Sequence, residues 1–260
     1  MRRVISALIA RAKDARRLGL RVALGPLGAG PIWSVKSKVG DLCLRVRESD
    51  LLTFRQVFSN REYDIGDFPQ EQRLQIAYES LIAGGGTPVI LDAGANVGAA
   101  SVWFARKFPH AIVLAVEPAP GSAEMARLNT RALPNIRVVE AAIGSAPGTV
   151  ELTSDDRDQL AWAIQTRRCE GGGVRVVTVR QCVESCGAGA TLFLVKIDIE
   201  GFESDLFARD TDWLDEVCAV FIEPHDWMLP DGKTSRGFQR EFARRDFDLL
   251  VTGENLVYAR

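Results

Sequence analysis

From Thr87 to the C-terminus the chain alternates two hydrophobic patterns. Short continuous apolar runs, "PVILDAG", "AIVLAVEP", "NIRVVEAAIG", "TLFLVKIDIEG" and "EVCAVFIEPHD", have the length and branching of strands buried on both faces. Between them, "ASVWFARKF" and "SAEMARLNTRAL" space their apolar residues as helices do, and another helix is expected near residues 202 to 208. Strands are also expected at 149 to 153 and 174 to 179, inside an irregular stretch with a glycine-rich turn at Gly171 to Gly173. The terminal "FDLLVTGENLVYAR" alternates apolar and polar positions around Gly253-Glu254, the pattern of an antiparallel hairpin. Together these predict an α/β fold, a doubly wound and mostly parallel sheet that ends in an antiparallel hairpin.

Upstream the patterns are shorter. "WSVKSKVGDLCLRVR" predicts two strands turning at Val39-Gly40-Asp41, and "SDLLTFRQVFSNREYDI" predicts a helix burying Leu52, Phe54, Val57 and Phe58. A further helix at about 68 to 83 stops at the glycines 84 to 86. Near the start, Val4, Ile5, Leu8, Ala12 and Ala15 share one helical face while most arginines fall on the other, and the Gly/Pro-rich "GPLGAGPIW" follows as a linker. The expected division is a basic helix and linker at 1–30, an accessory segment at 31–80, and a catalytic domain at 81–260.

Charge adds an asymmetry. Residues 1–21 hold seven Arg/Lys and one acid, so they carry +6 in a chain whose formal net charge is −2. The basic helix is expected to dock on the domain or stay solvated; peripheral contact with an anionic membrane through residues 1–21 is the alternative. No apolar run reaches the roughly 18 residues of a membrane span. Five scattered cysteines without a CxxC pair, and only two histidines, suit reduced thiols and a cytoplasmic protein rather than a zinc site.

The ends of the predicted strands carry the chemistry. Asp92, Glu117, Glu140, Asp198 with Glu200, and Glu223 with His225 all follow apolar runs, and in doubly wound sheets ligands bind at those ends. The loop "VILDAGANVG" has the spacing D-x-G-x-x-x-G in place of the dinucleotide pattern G-x-G-x-x-G. A pyrophosphate there would meet like charge on Asp92. S-adenosylmethionine has a sulfonium and an ammonium in place of phosphates, which an acid at the strand end attracts. Gly94 and Gly98 would admit its methionyl portion, and Glu117, 25 residues after Asp92, would accept the ribose hydroxyls. A second reading gives both glycines only a packing role.

"LDAGANVGAAS", "VEPAP", "VKIDIEGFE" and "FIEPHD", in this order, resemble the FkbM-type S-adenosylmethionine-dependent methyltransferases, and "RESDLLTFRQVFSNREYDI" looks like their usual lead-in. The resemblance covers roughly residues 35 to 260. It implies a class I, Rossmann-like methyltransferase fold and O-methylation of a sugar or secondary-metabolite hydroxyl. The cofactor-binding set then expected is Asp92, Gly94, Asn96, Gly98, Glu117, Pro118, Glu140, Ala142 and Asp198. Tyr63, in "NREYDI", is expected to close over the cofactor.

Methyl transfer is an in-line displacement that needs the acceptor oxygen about 3 Å from the methyl and a group to receive its proton. His225 is the histidine at a strand end; His110 sits in a turn at the far end of the sheet. His225 serves as base or substrate ligand, or is a structural loop histidine. Lys196 points to the same side as Asp198 and needs a partner within an apolar strand. It either pairs with Asp198 or Asp92, or polarises the acceptor hydroxyl together with Asp198. Glu200, Glu203 and Glu223 complete a carboxylate rim, expected to bind hydroxyls without a metal, with a divalent cation held through oxygen ligands as the alternative. Trp227 either packs or stacks on a sugar ring. The expected partner is a small-molecule or glycan acceptor and not a nucleic acid, because acidic strand ends repel phosphates. A nicotinamide-dependent oxidoreductase and a non-catalytic cofactor-binding protein are the competing readings.

Overall fold

The computed structural model describes residues 2–26, 30–154, 164–171, 173–229 and 231–260. Two helices open it, α1 (Arg2–Arg17) and α2 (Leu20–Leu24), followed by the hairpin β1 (Ile32–Ser37) and β2 (Gly40–Arg45). Next come α3 (Asp50–Phe54), which continues as one wider π-type turn through Ser59, and α4 (Gln70–Ala83). The alternating region then runs β3 (Thr87–Ala93), α5 (Ala99–Lys107), β4 (Ile112–Glu117), α6 (Pro120–Thr130) and β5 (Ile136–Glu140). Four short strands follow, β6 (Ala142–Ile143), β7 (Gly148–Ser154), β8 (Ile164–Cys169) and β9 (Val174–Val177). The chain closes with α7 (Val179–Glu184), β10 (Ala190–Ile197), α8 (Glu203–Leu206), β11 (Ala219–Ile222), α9 (Arg236–Phe242), β12 (Asp248–Thr252) and β13 (Asn255–Ala259).

The main sheet has the order β12-β13-β11-β10-β3-β4-β5, in which β13 alone runs against the other strands, antiparallel to both β11 and β12, as the apolar runs and the terminal hairpin predict. The chain winds outward from β3 through β4 to β5, then returns to the other side of β3 at β10. That reversal opens a crevice at the carboxyl ends of β3 and β10. Strand alternation sends Ile90 to one face and Leu91 to the other, and a separate core lies on each. Phe54, Tyr63, Phe104 and Phe221 fill the first, while Leu206, Trp213, Phe238 and Phe242 fill the second.

Several segments depart from the pattern. "NIRVVEAAIG" serves two sheets: β5 edges the main one, while β6 pairs with β9 in a second sheet of order β6-β9-β7-β8. β8, α7 and α9 carry too few apolar residues in register to stand out in the sequence. Leu52 is 57% exposed, because the wider turn after Phe54 rotates Val57 and Phe58 inward instead. Within the linker, residues 27–29 lie outside the described residues, as do 155–163 of the irregular stretch and Gly172 of its turn.

The basic helix docks through its one acid. Asp14 is buried, accepting from Arg55 Nε at 2.7 Å and from Ser59 Oγ at 2.7 Å. Of the expected apolar face, Ala12 is exposed and Ala15 half-buried, and Val4, Ile5 and Leu8 fall outside the residues whose side chains are described. Among the described residues no helix is long and apolar enough to cross a membrane.

Candidate active site

Strand register builds the floor of the crevice. Lys196 of β10 lies directly opposite Asp92 of β3, so both side chains leave the sheet on the same face. Lys196 Nζ stands 3.2 Å from Asp92 Oδ1 and 3.4 Å from Asp198 Oδ2, and donates to the Gly94 carbonyl at 2.6 Å. Burial alone would lower the Lys196 ammonium, yet the two carboxylates hold it well above its ordinary range. Ser101 Oγ donates to Asp92 Oδ2 at 2.5 Å.

Above this floor lies a cavity of about 880 Å³, a size suited to a small ligand. Gly94, Asn96, Asp198 and Glu200 also line a narrower cleft that continues toward Glu117, Pro118, Ala142, Ile143 and Phe202. Glu117 is anchored by backbone: Asn96 N–H donates to Oε2 at 2.8 Å and Ala119 N–H to Oε1 at 2.9 Å. Burial pushes its carboxyl up to about 7, although both N–H groups oppose the shift.

His225 closes the other end. It is buried, and its Nδ1 is 2.7 Å from Oε1 of the fully buried Glu203. Its Nε2 faces the cavity, 3.5 Å from Asp198 Oδ1, 3.5 Å from Glu200 Oε2 and 3.9 Å from Glu223 Oε1. Burial by itself would lower the imidazolium, but the Glu203 hydrogen bond and the surrounding acids raise it to about 9. Glu200 and Glu223 are each pushed up to about 8, first by burial and then by repulsion from Asp198.

The structure therefore brings together Asp198, Glu200, Glu223 and His225 around one cavity, and Gly94, Asn96, Asp198 and Glu200 also wall the adjoining cleft of Glu117, Pro118 and Ala142. Other expected positions are corrected. Asp92 has no exposed surface and its charge is met by Lys196, so it does not attract a ligand directly. Glu140 turns outward and pairs with Arg127 at 3.0 Å. Gly98, at φ 83°, allows α5 to pack on α6, since a Cβ there would lie 3.2 Å from Thr130 Cγ2 and 3.3 Å from Ala126 Cα. Gly94 lines both cavities and also has a packing reason, because a Cβ would sit 1.7 Å from the Asp198 carbonyl oxygen. Tyr63 is wedged between Phe104 and Phe221, with ring centroids at 5.4 and 5.8 Å; it is a fixed wall of the cavity and not a cover. Glu203 lies beneath His225 and not on the rim. Trp227 is 68% exposed beside the cavity, so packing does not account for it.

Sequence patterns missed other lining residues. Glu62, pushed up to about 7 by burial and then by Glu254 and Asp198, was readable only as a neighbour of Tyr63. Thr166 comes from the overlooked β8, and Ile9, Arg11 and Lys13 reach the mouth only because α1 docks there.

The Methyltransferase FkbM domain matches residues 92–249, and the chain belongs to this methyltransferase family. Methyltransferase sdnD of Sordaria araneosa is 31% identical over 103 residues, which cover 38% of this chain and 34% of that protein, about a third of its length. The 2-O-methyltransferase NoeI of Sinorhizobium fredii (strain NBRC 101917 / NGR234) is 27% identical over 162 residues, covering 56% of this chain and 67% of NoeI. Methyltransferase 1 of Beauveria bassiana (strain ARSEF 2860) is 28% identical over 228 residues, covering 69% of this chain and 85% of that protein. Membership supports methyl transfer over the oxidoreductase reading, with S-adenosylmethionine as the cofactor.

Proposed function

We propose that the protein transfers a methyl group from S-adenosylmethionine to a hydroxyl oxygen of a sugar or another polyhydroxylated metabolite. One observation carries this reading: the buried His225 and three carboxylates face the same cavity that Gly94 and Asn96 share with the Glu117 cleft.

The donor set suits the cofactor. Asn96 Oδ1 is buried on the wall common to both cavities and has no hydrogen-bond partner among the described residues, an acceptor available to an ammonium. Each Glu117 oxygen uses one lone pair on backbone and keeps another for a ribose hydroxyl. Pro118, Ala142, Ile143 and Phe202 offer apolar walls for an adenine ring. When bound, the cofactor supplies an electrophilic methyl on a sulfonium. The residues of the chain orient the acceptor and take its proton. With Glu200 and Glu223 raised to about 8 and His225 to about 9, the cluster holds groups near the basicity that proton removal at neutral pH requires.

The acidic floor supports a neutral, hydroxyl-rich acceptor over a polyanion. That the related NoeI is named a 2-O-methyltransferase supports oxygen as the target. Calorimetric titration with S-adenosylmethionine and with NAD, followed by transfer of labelled methyl to glycan and metabolite extracts, tests the proposal. It expects binding of the first ligand alone and label in alkali-stable ethers; label recovered on nitrogen or in alkali-labile esters would overturn it.

A further inference from the structure

We propose that Asp198, Glu200 and His225 bind one hard divalent cation, of the Mg²⁺, Mn²⁺ or Ca²⁺ kind, at the cavity floor. This takes the lesser of the two readings that the sequence left for the rim, in place of the metal-free one. Only the ion's role in methylation rests on the hydroxyl-transfer reading; the binding itself stands on the geometry of the site.

The three side chains come from two neighbouring strand ends, and their ligand atoms all lie within 4.8 Å of one another. Two ligands at right angles around an ion stand about 2.9 Å apart for Mg²⁺ and about 3.4 Å for Ca²⁺. The observed 3.5 Å from His225 Nε2 to Asp198 Oδ1, and again to Glu200 Oε2, needs little adjustment to meet either value. Glu223 Oε1, at 3.9 Å from the same nitrogen, stands in reserve as a further oxygen ligand.

A group of acids alone would not make a site. The independent observation is the histidine, which is 1% exposed and aimed into the group. Its Nδ1 is committed to Glu203, while its Nε2 makes no hydrogen bond among the described residues. A ring nitrogen pinned by a buried carboxylate, with the opposite nitrogen presented to oxygen ligands, is the arrangement that orients metal-binding imidazoles. Lys196 is already occupied by Asp92 and by Asp198 Oδ2, which leaves Asp198 Oδ1, Glu200 and Glu223 as the oxygen donors around His225 Nε2, where the ion would take the place of the protons these groups hold. A cation there would hold the acceptor oxygen and make its proton easier to remove.

The test uses full-length protein stripped with EDTA, with Mn²⁺ alone as the probe. Electron paramagnetic resonance of free Mn²⁺ should show one site per chain, from which Mg²⁺ or Ca²⁺ displaces the ion. Pulsed measurements on the bound Mn²⁺ should show coupling to one histidine nitrogen, a readout that depends on no variant. His225→Gln and Glu200→Gln should each weaken binding at least about tenfold. The proposal fails if no Mn²⁺ binds up to about 1 mM, if the bound ion shows no nitrogen coupling, or if neither substitution changes its affinity. Titration of the stripped protein with S-adenosylmethionine separates the two readings. Cofactor binding without a Mn²⁺ site removes only the cation, whereas a Mn²⁺ site without cofactor binding removes the methyl-transfer reading.

Discussion

Glu203 and His225 form a buried pair, carboxylate Oε1 to ring Nδ1 at 2.7 Å, in which the acid decides where the histidine points. Glu203 has no exposed surface and also accepts from the Gly201 N–H at 3.2 Å, so the loop after Asp198 and the loop after β11 are tied together beneath the cavity. Removing the acid leaves a buried ring nitrogen without its partner. Glu203→Ala should lower the unfolding free energy by about 3 kcal/mol. Glu203→Gln, which keeps one acceptor oxygen, should lose roughly half as much. Urea denaturation measures both, and two variants within about 0.5 kcal/mol of wild type would deny the pair its structural weight.

The two glycines of the opening loop should respond unequally. At Gly94 a Cβ would overlap the Asp198 backbone at 1.7 Å, and backbone cannot swing away as a side-chain tip can. Gly94→Ala should abolish cofactor binding or prevent folding. At Gly98 the nearest atoms are at 3.2 to 3.4 Å and φ is 83°, so Gly98→Ala should cost about 1–2 kcal/mol and leave a folded, binding-competent protein. Thermal unfolding and calorimetry of the two variants check this order; equal losses would contradict it.

Glu117 gives stability a pH dependence of known sign. Its carboxyl is raised from 4.5 to about 7, so the folded state holds the proton more tightly than the unfolded chain. Its contribution is therefore complete below about 4.5 and lost as the pH rises through about 7. Glu117→Gln should remove that slope, changing the stability difference between pH 4.5 and pH 8 by up to ~3 kcal/mol relative to wild type. Urea titrations of both proteins at the two pH values decide it, and parallel profiles would refute the assignment.

Asp14 should act as the anchor of α1. Its partners, Arg55 Nε and Ser59 Oγ, both lie at 2.7 Å. Asp14→Ala should free the helix, so trypsin should cut after Arg11, Lys13, Arg16 or Arg17 at least about tenfold faster than in wild type, with the rest of the chain still resistant. Unchanged cleavage rates would show that other contacts hold the helix.

Much of the architecture is legible in the order of residues because strand burial is a local property. "VILDAG", "LFLVKIDI" and "AVFIEPH" are apolar for strand length and then turn polar, and the structure ends its strands at those points. β8 and the wider turn after Phe54 escaped because their signals are short, and because the partners that stabilise them lie far along the chain. Asp92 was misread for a similar reason. A strand-end acid resembles a ligand until the register places Lys196 opposite it.

By itself, the sequence determined that a doubly wound sheet would gather acids, glycines and one histidine at the ends of its strands. Which of these share a cavity was decided by the tertiary structure. Strand pairing neutralises Asp92 with Lys196, turns Glu140 to solvent, sinks Glu203 under His225 and leaves Asp198, Glu200, Glu223 and His225 facing one space. The physical reason is that the energy of a charge depends on its depth and on its neighbours within a few ångströms. Those neighbours come from segments remote in the chain.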